Sequence, residues 1–232
     1  MFDLLAVQNQ IRCVTNFHDL VSTPFIGNIN ALCWQRELPG DFSEIVNAIE
    51  LTENLVVIEP KALQELRLSQ HGQMAREVIL NDLELLNVYG ASPVLNLIRN
   101  YQRDETNAFF PTDVYSFHAD RAPIPTSTFL CTYYGESSQI LPNDGAIKKV
   151  RIPHIRSELK RRYNGPEEDF EAFLSEHFYD LHYEALPGAS PVSMGPGHLW
   201  RLAVDHPESK VLPCVHRAPI EKPGQPRLLL IC

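Results

Sequence analysis

The chain has 232 residues, of which 44% are hydrophobic and 21% are charged, so it is long enough to bury a sizeable core. Its formal net charge of -9 disfavours binding to nucleic-acid phosphate or anionic lipid. Five scattered cysteines without a CxxC pair argue against a disulfide framework or a structural zinc knuckle. Because we find no basic signal segment and no apolar run near ~20 residues, we expect a cytoplasmic protein without a membrane helix.

Residues 1–108 are predicted to form a mainly helical N-terminal region that packs on the core. Asp41 precedes an apolar pattern at helical spacing and is a helix-start signal. The apolar run Leu55–Ile58 predicts a short buried strand. Apolar residues that share one helical face predict a helix over residues 73–86, and a second helix is predicted over residues 93–101, where Pro93 occupies the first turn.

From residue 109 the pattern changes to short segments rich in β-branched and aromatic residues, separated by Pro and Gly. The strands are predicted over residues 114–120, 128–134, 199–204, 211–217 and 227–231. Several short strands separated by turns predict a β-sandwich or barrel over residues 109–232.

A charged insertion, at about residues 145–185, interrupts these strands. Residues 148–162 carry seven basic side chains and one acid, and an acidic helix is predicted to follow. The basic run could hold an anionic substrate. It could instead be a solvated segment that pairs with the acidic helix, which we favour because charge runs in ordinary domains usually face water or each other.

Residue types that bind metal ions occur in two of the predicted strands. His118 and Asp120 would point to the same side, because residues i and i+2 of a strand share a face. Together with His216, they would supply two imidazoles and one carboxylate, a set that holds one face of Fe(II) and leaves the other open. Taken alone, a His-x-Asp pair is a weak signal.

Arg227 opens the last predicted strand and has no acidic neighbour in sequence. If its guanidinium points inward it needs a partner, and the carboxylate of a bound organic acid would serve. The alternative is that Arg227 lies at the strand end and faces solvent.

This arrangement resembles the Fe(II)- and 2-oxoglutarate-dependent dioxygenases, and within them the prolyl-hydroxylase-like branch. The resemblance rests on the order of His118, Asp120, His216 and Arg227, on Tyr115 three residues before the first histidine, and on the Tyr133-Tyr134 pair in the following strand. It covers roughly residues 109–232. It implies an α+β fold with a double-stranded β-helix (jelly roll) core and N-terminal flanking helices.

The resemblance also implies an activity: hydroxylation of a small-molecule or peptide substrate, coupled to oxidation of 2-oxoglutarate to succinate. His118, Asp120 and His216 would hold Fe(II). Arg227 and Tyr134 would bind the distal carboxylate of 2-oxoglutarate, with Tyr115 also at the co-substrate site. Many members of the family have a serine two residues after the arginine, whereas this chain has Leu229.

Two other functions fit the same residues. One is a cupin-like protein that binds or senses a divalent metal ion without turnover. The other is a closed zinc site, in which Cys214 joins the two histidines and Asp120. The remaining histidines considered lack ligand spacing and are predicted to be surface or packing residues: His154, His177, His182, His198 and His206.

Overall fold

The computed structural model describes residues 9–105 and 109–232 and has a mixed α+β fold. The helices in these ranges are α1 (Phe17–Ser22), α2 (Phe42–Ala48), α3 (Pro60–Glu65), α4 (Gln70–Tyr89), α5 (Pro153–Arg162) and α6 (Phe170–Glu176). The strands are β1 (Ile11–Val14), β2 (Ala31–Trp34), β3 (Leu55–Ile58), β4 (Val94–Ile98), β5 (Phe117–His118), β6 (Ser127–Tyr134), β7 (Gln139–Ile140), β8 (Ala146–Lys148), β9 (His182–Ala185), β10 (Val192–Ser193), β11 (Leu199–Ala203), β12 (His216–Arg217) and β13 (Arg227–Ile231). None of the described helices is long and apolar enough to span a bilayer.

The strands form two sheets that are largely antiparallel. The larger has the order β1-β2-β11-β6-β13-β4-β3, and only the β1–β2 pair at its edge is parallel. The smaller has the order β10-β7-β12-β5-β9-β8 and is antiparallel throughout. The first four strands of the chain all join the larger sheet, so the N-terminal region contributes strands to the core as well as the predicted helices.

The two faces of the larger sheet pack against different layers, as the period of two along a strand requires. On β6, Phe129 and Cys131 pack in one cluster with Ile79 of α4. Leu130 lies in a second cluster with Leu229 of β13 and with buried residues of the β7 and β12 region, including Ile140 and Cys214. The helices therefore cover one face, and the other face packs toward the smaller sheet.

Strong local signals predicted several elements correctly. α2 begins after Asp41, whose carboxylate accepts a hydrogen bond of 2.9 Å from the Ser43 amide. β3 has the predicted bounds, but the prediction that it is buried is wrong: it is an edge strand in which only Ile58 is buried. The helix expected over residues 73–86 is the central part of α4. α4 ends at Gly90, which adopts a left-handed φ of 96°, the usual way for glycine to end a helix.

The helix predicted over residues 93–101 is wrong, because this segment contains strand β4. β4 hydrogen-bonds to β3 on one side and to β13 on the other, and Leu95 and Leu97 are buried in the cluster beneath the helices. Pairing on both edges thus outweighs a weak local preference. The strands predicted over residues 114–120 and 211–217 shorten to the two-residue strands β5 and β12.

A buried ion pair ties α4 to the larger sheet. The Arg36 guanidinium donates to both oxygens of Asp82, whose side chain is 0% exposed, and the Tyr133 hydroxyl donates to the same carboxylate at 2.6 Å. Burial raises the pKa of Tyr133, so this hydroxyl keeps its proton.

We expect Asp82→Ala to lower the free energy of unfolding by about 3–5 kcal/mol, because it leaves the Arg36 charge buried without a partner. Urea denaturation would measure the loss. Replacing both partners, as Arg36→Met with Asp82→Leu, should restore much of it. Glu158→Ala, which breaks ion pairs at the surface, should change the unfolding midpoint little. If Asp82→Ala were as stable as this surface variant, the pair would contribute nothing to the fold.

The basic run mostly pairs with acidic side chains, as we favoured from the sequence. Arg156 and Lys160 of α5 form ion pairs with Glu171 and Glu167, which lie in or just before α6. The two helices pack together in a small apolar cluster, to which α5 contributes Leu159, α6 contributes Phe170, and the segment before β5 contributes Phe110. The region predicted as an insertion also supplies β8 and β9, which extend the smaller sheet.

Candidate metal centre

Two short strands of the smaller sheet bring His118 and His216 together. The histidines are direct partners in the antiparallel register of β5 and β12, and their ring centroids lie 4.6 Å apart. The chain continues from β5 into Asp120, where the Asp205 amide donates a 2.7 Å hydrogen bond to the Asp120 carbonyl. Sheet pairing thus places two histidines that are far apart in sequence beside a carboxylate.

The side chains of His118, Asp120 and His216 converge on one point. The Nε2 atoms of His118 and His216 lie 3.9 and 3.7 Å from the two carboxylate oxygens of Asp120, and the three potential ligand atoms all lie within 4.8 Å of one another. Ligand atoms at about 2.1 Å from one shared ion are at most about 4.2 Å apart. A slight closing of the side chains would therefore let all three bind the same cation.

Backbone contacts fix which nitrogen of each ring faces the centre. His118 Nδ1 lies 2.8 Å from the Ser116 carbonyl, and His216 Nδ1 lies 3.2 Å from the Cys214 carbonyl. Since a carbonyl only accepts, each Nδ1 is assigned as the protonated nitrogen. The Nε2 lone pairs are then free to bind a cation, as in metal sites where an outer hydrogen bond orients a histidine ligand.

Asp120 is held as a carboxylate. Burial opposes its ionisation, but the nearby His216, the hydroxyl of Thr128 and His118 outweigh that effect and lower the pKa of Asp120. Thr128 of β6 donates to the carboxylate oxygen that faces His216. The centre therefore combines one negative carboxylate with imidazoles from two strands.

Burial and the neighbouring His216 lower the pKa of His118 to about 4. Burial, then His118 and Lys149, lower the pKa of His182 to about 3. Both imidazoles are thus neutral near pH 7, and for His118 this is the form that can bind a metal ion.

These shifts make the stability of the metal-free protein depend on pH. Histidines in the unfolded chain titrate near 6.5, so below that pH the unfolded chain binds more protons than the folded one. The stabilisation is fully present above about pH 6.5 and is lost as the pH falls toward 4. We expect the free energy of unfolding to fall by up to about 1.4 kcal/mol per pH unit for each of His118 and His182.

Urea denaturation of chelator-treated protein at a series of pH values would measure this slope. His182→Phe should remove one of the two contributions and reduce the slope by about half. His154→Ala is a suitable control because His154 is exposed. A wild-type profile that is flat between about pH 7 and 5 would contradict the prediction.

Arg227 points inward, as one of the two interpretations of the sequence required. It is 1% exposed, and its Nη2 donates to the hydroxyls of Thr132 at 2.9 Å and Ser138 at 2.7 Å. Its Nε is buried and has no hydrogen-bond partner among the described residues. Among the residues that the structure describes, no carboxylate forms an ion pair with Arg227, and burial lowers the pKa of its guanidinium. A buried cation with an unused donor is a candidate anion-binding group.

The two tyrosines predicted to lie with Arg227 at the co-substrate site, Tyr134 and Tyr115, make other contacts in the structure. Tyr134 packs against the cluster beneath the helices and makes no hydrogen bond to Arg227 in the described part of the chain. The Tyr115 hydroxyl donates to Glu221 at 2.8 Å and accepts from the Tyr101 amide at 2.9 Å. Tyr115 is near enough to affect the Arg227 charge, but its hydroxyl is already occupied.

Several groups that surround the candidate ligands are not predicted by the sequence pattern. Thr128 and Thr132 lie on one face of β6, and they reach Asp120 and Arg227 respectively. The period of two along the predicted strand placed them together, but nothing local indicated their partners. Ser138, which accepts a hydrogen bond from Arg227, was not predicted either. His182, predicted to be a surface or packing residue, is 5% exposed and lies directly opposite His118 in the register of β5 and β9.

The zinc alternative that includes Cys214 gains no support from this geometry. Within the described residues, the grouped potential ligands are His118, Asp120 and His216. Cys214 is fully buried in the apolar cluster between the sheets, and burial strongly raises the pKa of its thiol. A thiol in that setting is a small apolar packing group.

No protein-family model, curated protein or solved structure matches the chain. The function therefore has to be inferred from the site itself.

Proposed function

We propose that the protein is an Fe(II)- and 2-oxoglutarate-dependent oxygenase that hydroxylates a small-molecule or peptide substrate. The observation that carries the proposal is the convergence of His118, Asp120 and His216 in a chain that also buries Arg227 without an ion pair among the described residues. The first group fits a metal ion, and the second fits the carboxylate of an organic acid. Glu221 is close enough to interact with the Arg227 charge but does not form an ion pair with it.

The ligand set suits Fe(II). Two imidazoles and one carboxylate match the ligand set that caps one face of non-haem iron and leaves the opposite positions open. When bound, Fe(II) and 2-oxoglutarate would activate dioxygen, so that one oxygen atom enters succinate as carbon dioxide is released and the other converts a substrate C–H bond into C–OH. The protein's part is to hold His118 and His216 by their Nδ1 hydrogen bonds and to orient Asp120 through Thr128.

Arg227 would hold the distal carboxylate of the co-substrate. Its unused Nε donor would provide a charge-assisted hydrogen bond to that carboxylate. The family pattern expects a serine hydroxyl near this arginine, where the chain has Leu229. Here Thr132 and Ser138 place hydroxyls at 2.9 and 2.7 Å from Nη2, so they are the side chains we assign to that role.

We also propose that the two sheets form a double-stranded β-helix. The two largely antiparallel sheets share an apolar layer, and the candidate ligands lie on the smaller sheet, with Arg227 on the larger one. An experimentally determined structure with a redox-inert cation and 2-oxoglutarate would test the connectivity and the ligand assignments together.

The activity has a direct test. Under anaerobic conditions, Fe(II) and 2-oxoglutarate together should produce a visible charge-transfer band that neither produces alone. In air, the same mixture should form succinate at a slow, uncoupled rate. The absence of both signals would reject the oxygenase.

A metal-binding protein without turnover is the second candidate. Two observations favour it. Leu229 contributes an apolar side chain to the layer between the sheets, where the family commonly has a hydroxyl. Tyr134 packs against the cluster beneath the helices and makes no hydrogen bond to Arg227 among the described residues. In that case Fe(II) would bind to the protein with no charge-transfer band and no succinate. The same experiment therefore separates the two functions.

A further inference from the structure

A cavity of about 320 Å³ lies directly beside the candidate metal centre. Its wall includes the metal-ligand residues His118 and Asp120, together with Val114, Phe178, Leu181 and His182. We propose that this cavity receives the reacting part of the substrate, that His182 hydrogen-bonds to it, and that the group it takes is a neutral carboxamide on a small apolar body. This deepens the proposed function, on which it rests for the chemistry that follows binding.

His182 is the first observation behind the proposal. It is 5% exposed, with its ring 5.9 Å from that of His118 and 6.0 Å from the ring of Phe110. Its Nδ1 is buried and has no hydrogen-bond partner within residues 9–105 and 109–232. Buried polar atoms are nearly always paired, and one that is not calls for an explanation such as a missing ligand. Because His182 lines the cavity, a bound molecule can supply the partner.

Phe178 gives a second, independent observation. It is the one non-glycine residue with a positive φ, 58°, in residues 9–105 and 109–232, and it is 55% exposed. Hydrogen bonds to the Ser175 carbonyl and from the Leu181 amide hold this turn. Backbone strain of this kind persists where the surrounding structure enforces it, and it clusters at functional sites. Here it presents an aromatic ring at the rim of the cavity.

The charges around the cavity select against an anion. Asp113 and Asp120 both line it. Arg121, the basic residue in the wall, is already paired with Asp180 and Asp205. In the metal-free protein an anionic group would therefore approach two carboxylates that form no ion pair with a lysine or arginine among the described residues, although Lys149 is close enough to interact with Asp113. The basic run could hold an anionic substrate, as the sequence allows, but its Arg156 and Lys160 form ion pairs with Glu171 and Glu167, which do not line the cavity.

A carboxamide meets these constraints. It is uncharged, and it offers both a donor and an acceptor, so it can pair with either tautomer of a neutral imidazole. The apolar side chains of Val114, Phe178 and Leu181 would contact the body that carries it. The cavity volume is at the lower end of the range for small-molecule sites, which suits a single side chain or a small amide.

Benzamide and benzoate form a matched pair of probes, because they have the same apolar body and differ in the charge of the end group. Their binding should be measured on chelator-treated protein by the NMR signals of the ¹⁵N-labelled histidine rings. We expect benzamide to shift the His182 signals saturably and benzoate to bind at least about tenfold more weakly. With Co(II) added, benzamide should show paramagnetic relaxation that places it near the centre.

Two variants identify the role of His182. His182→Phe keeps an aromatic ring beside Phe110 and should weaken benzamide about tenfold. His182→Gln keeps a hydrogen-bonding group and should retain much of the affinity, which covers the case in which the phenylalanine variant does not fold. His177→Ala, which changes an exposed histidine, should behave as wild type. Both His182 variants should still bind Co(II) with unchanged affinity.

The proposal fails if benzamide gives no saturable shift, if benzoate binds as well as benzamide, or if neither His182 variant changes benzamide binding. It also fails if the variants lose Co(II), because His182 would then be a metal ligand. Amide binding is measured without metal or co-substrate, so a lack of succinate formation would reject the oxygenase and leave this result standing.

Discussion

Asp120→Ala should abolish succinate formation and weaken binding of Fe(II) or Co(II) by more than about 100-fold, because removing an outer partner of a metal ligand already costs about 10–100-fold. Asp120 supplies the negative charge of the centre, and its oxygens lie 3.9 and 3.7 Å from the two histidine Nε2 atoms. The variant should fold, because Asp120 is on the cavity wall with its side chain 35% exposed. Metal titration and a succinate assay would measure both effects.

Two controls make this result specific. Thr128→Val removes the hydroxyl that donates to Asp120, and it should weaken metal binding by about 10–100-fold without removing a ligand. Asp144→Ala changes an exposed acid outside the site and should leave both assays unchanged. Turnover that survives Asp120→Ala would mean that these three residues are not the metal site.

Arg227→Met should leave the free protein at least as stable as the wild type and raise the concentration of 2-oxoglutarate needed for half-maximal succinate formation. The buried guanidinium has two hydroxyl partners, an unused Nε and no ion pair among the described residues. Replacing a buried charge that has no ion pair with an apolar side chain of similar size also removes the cost of keeping that charge out of water. Losing its hydrogen bonds to a carboxylate, about 1.5–3 kcal/mol, corresponds to about 10–150-fold weaker binding.

Arg201→Met is the matched control for this prediction. Arg201 is partly buried, and it donates to the backbone carbonyls of Leu20, Val21 and Thr23. Its loss should lower the melting temperature and leave the 2-oxoglutarate requirement unchanged. The contrary result is that Arg227→Met lowers the melting temperature and leaves the 2-oxoglutarate concentration for half-maximal succinate formation unchanged. In that case Arg227 would be a structural residue and the co-substrate assignment would be wrong.

Much of the local structure follows from the sequence. The cap at Asp41, the apolar face within α4 and the apolar run of β13 are each encoded over a few neighbouring residues, and the structure has the corresponding elements. The sequence did not predict β4, because the conformation of this strand is decided by its hydrogen bonds to β3 and β13. A segment that pairs on both edges takes its structure from partners that a local pattern does not contain.

The candidate site divides in the same way. The sequence by itself determined the residue types, the two-residue spacing of His118 and Asp120, and an arginine at the start of β13. Only the tertiary structure decided that His216 lies opposite His118, that Thr128 holds Asp120 and that Tyr134 faces another cluster. It also placed His182 beside the centre. Spacing along one strand is fixed by local geometry, whereas pairing between two-residue strands depends on contacts distributed over the whole fold.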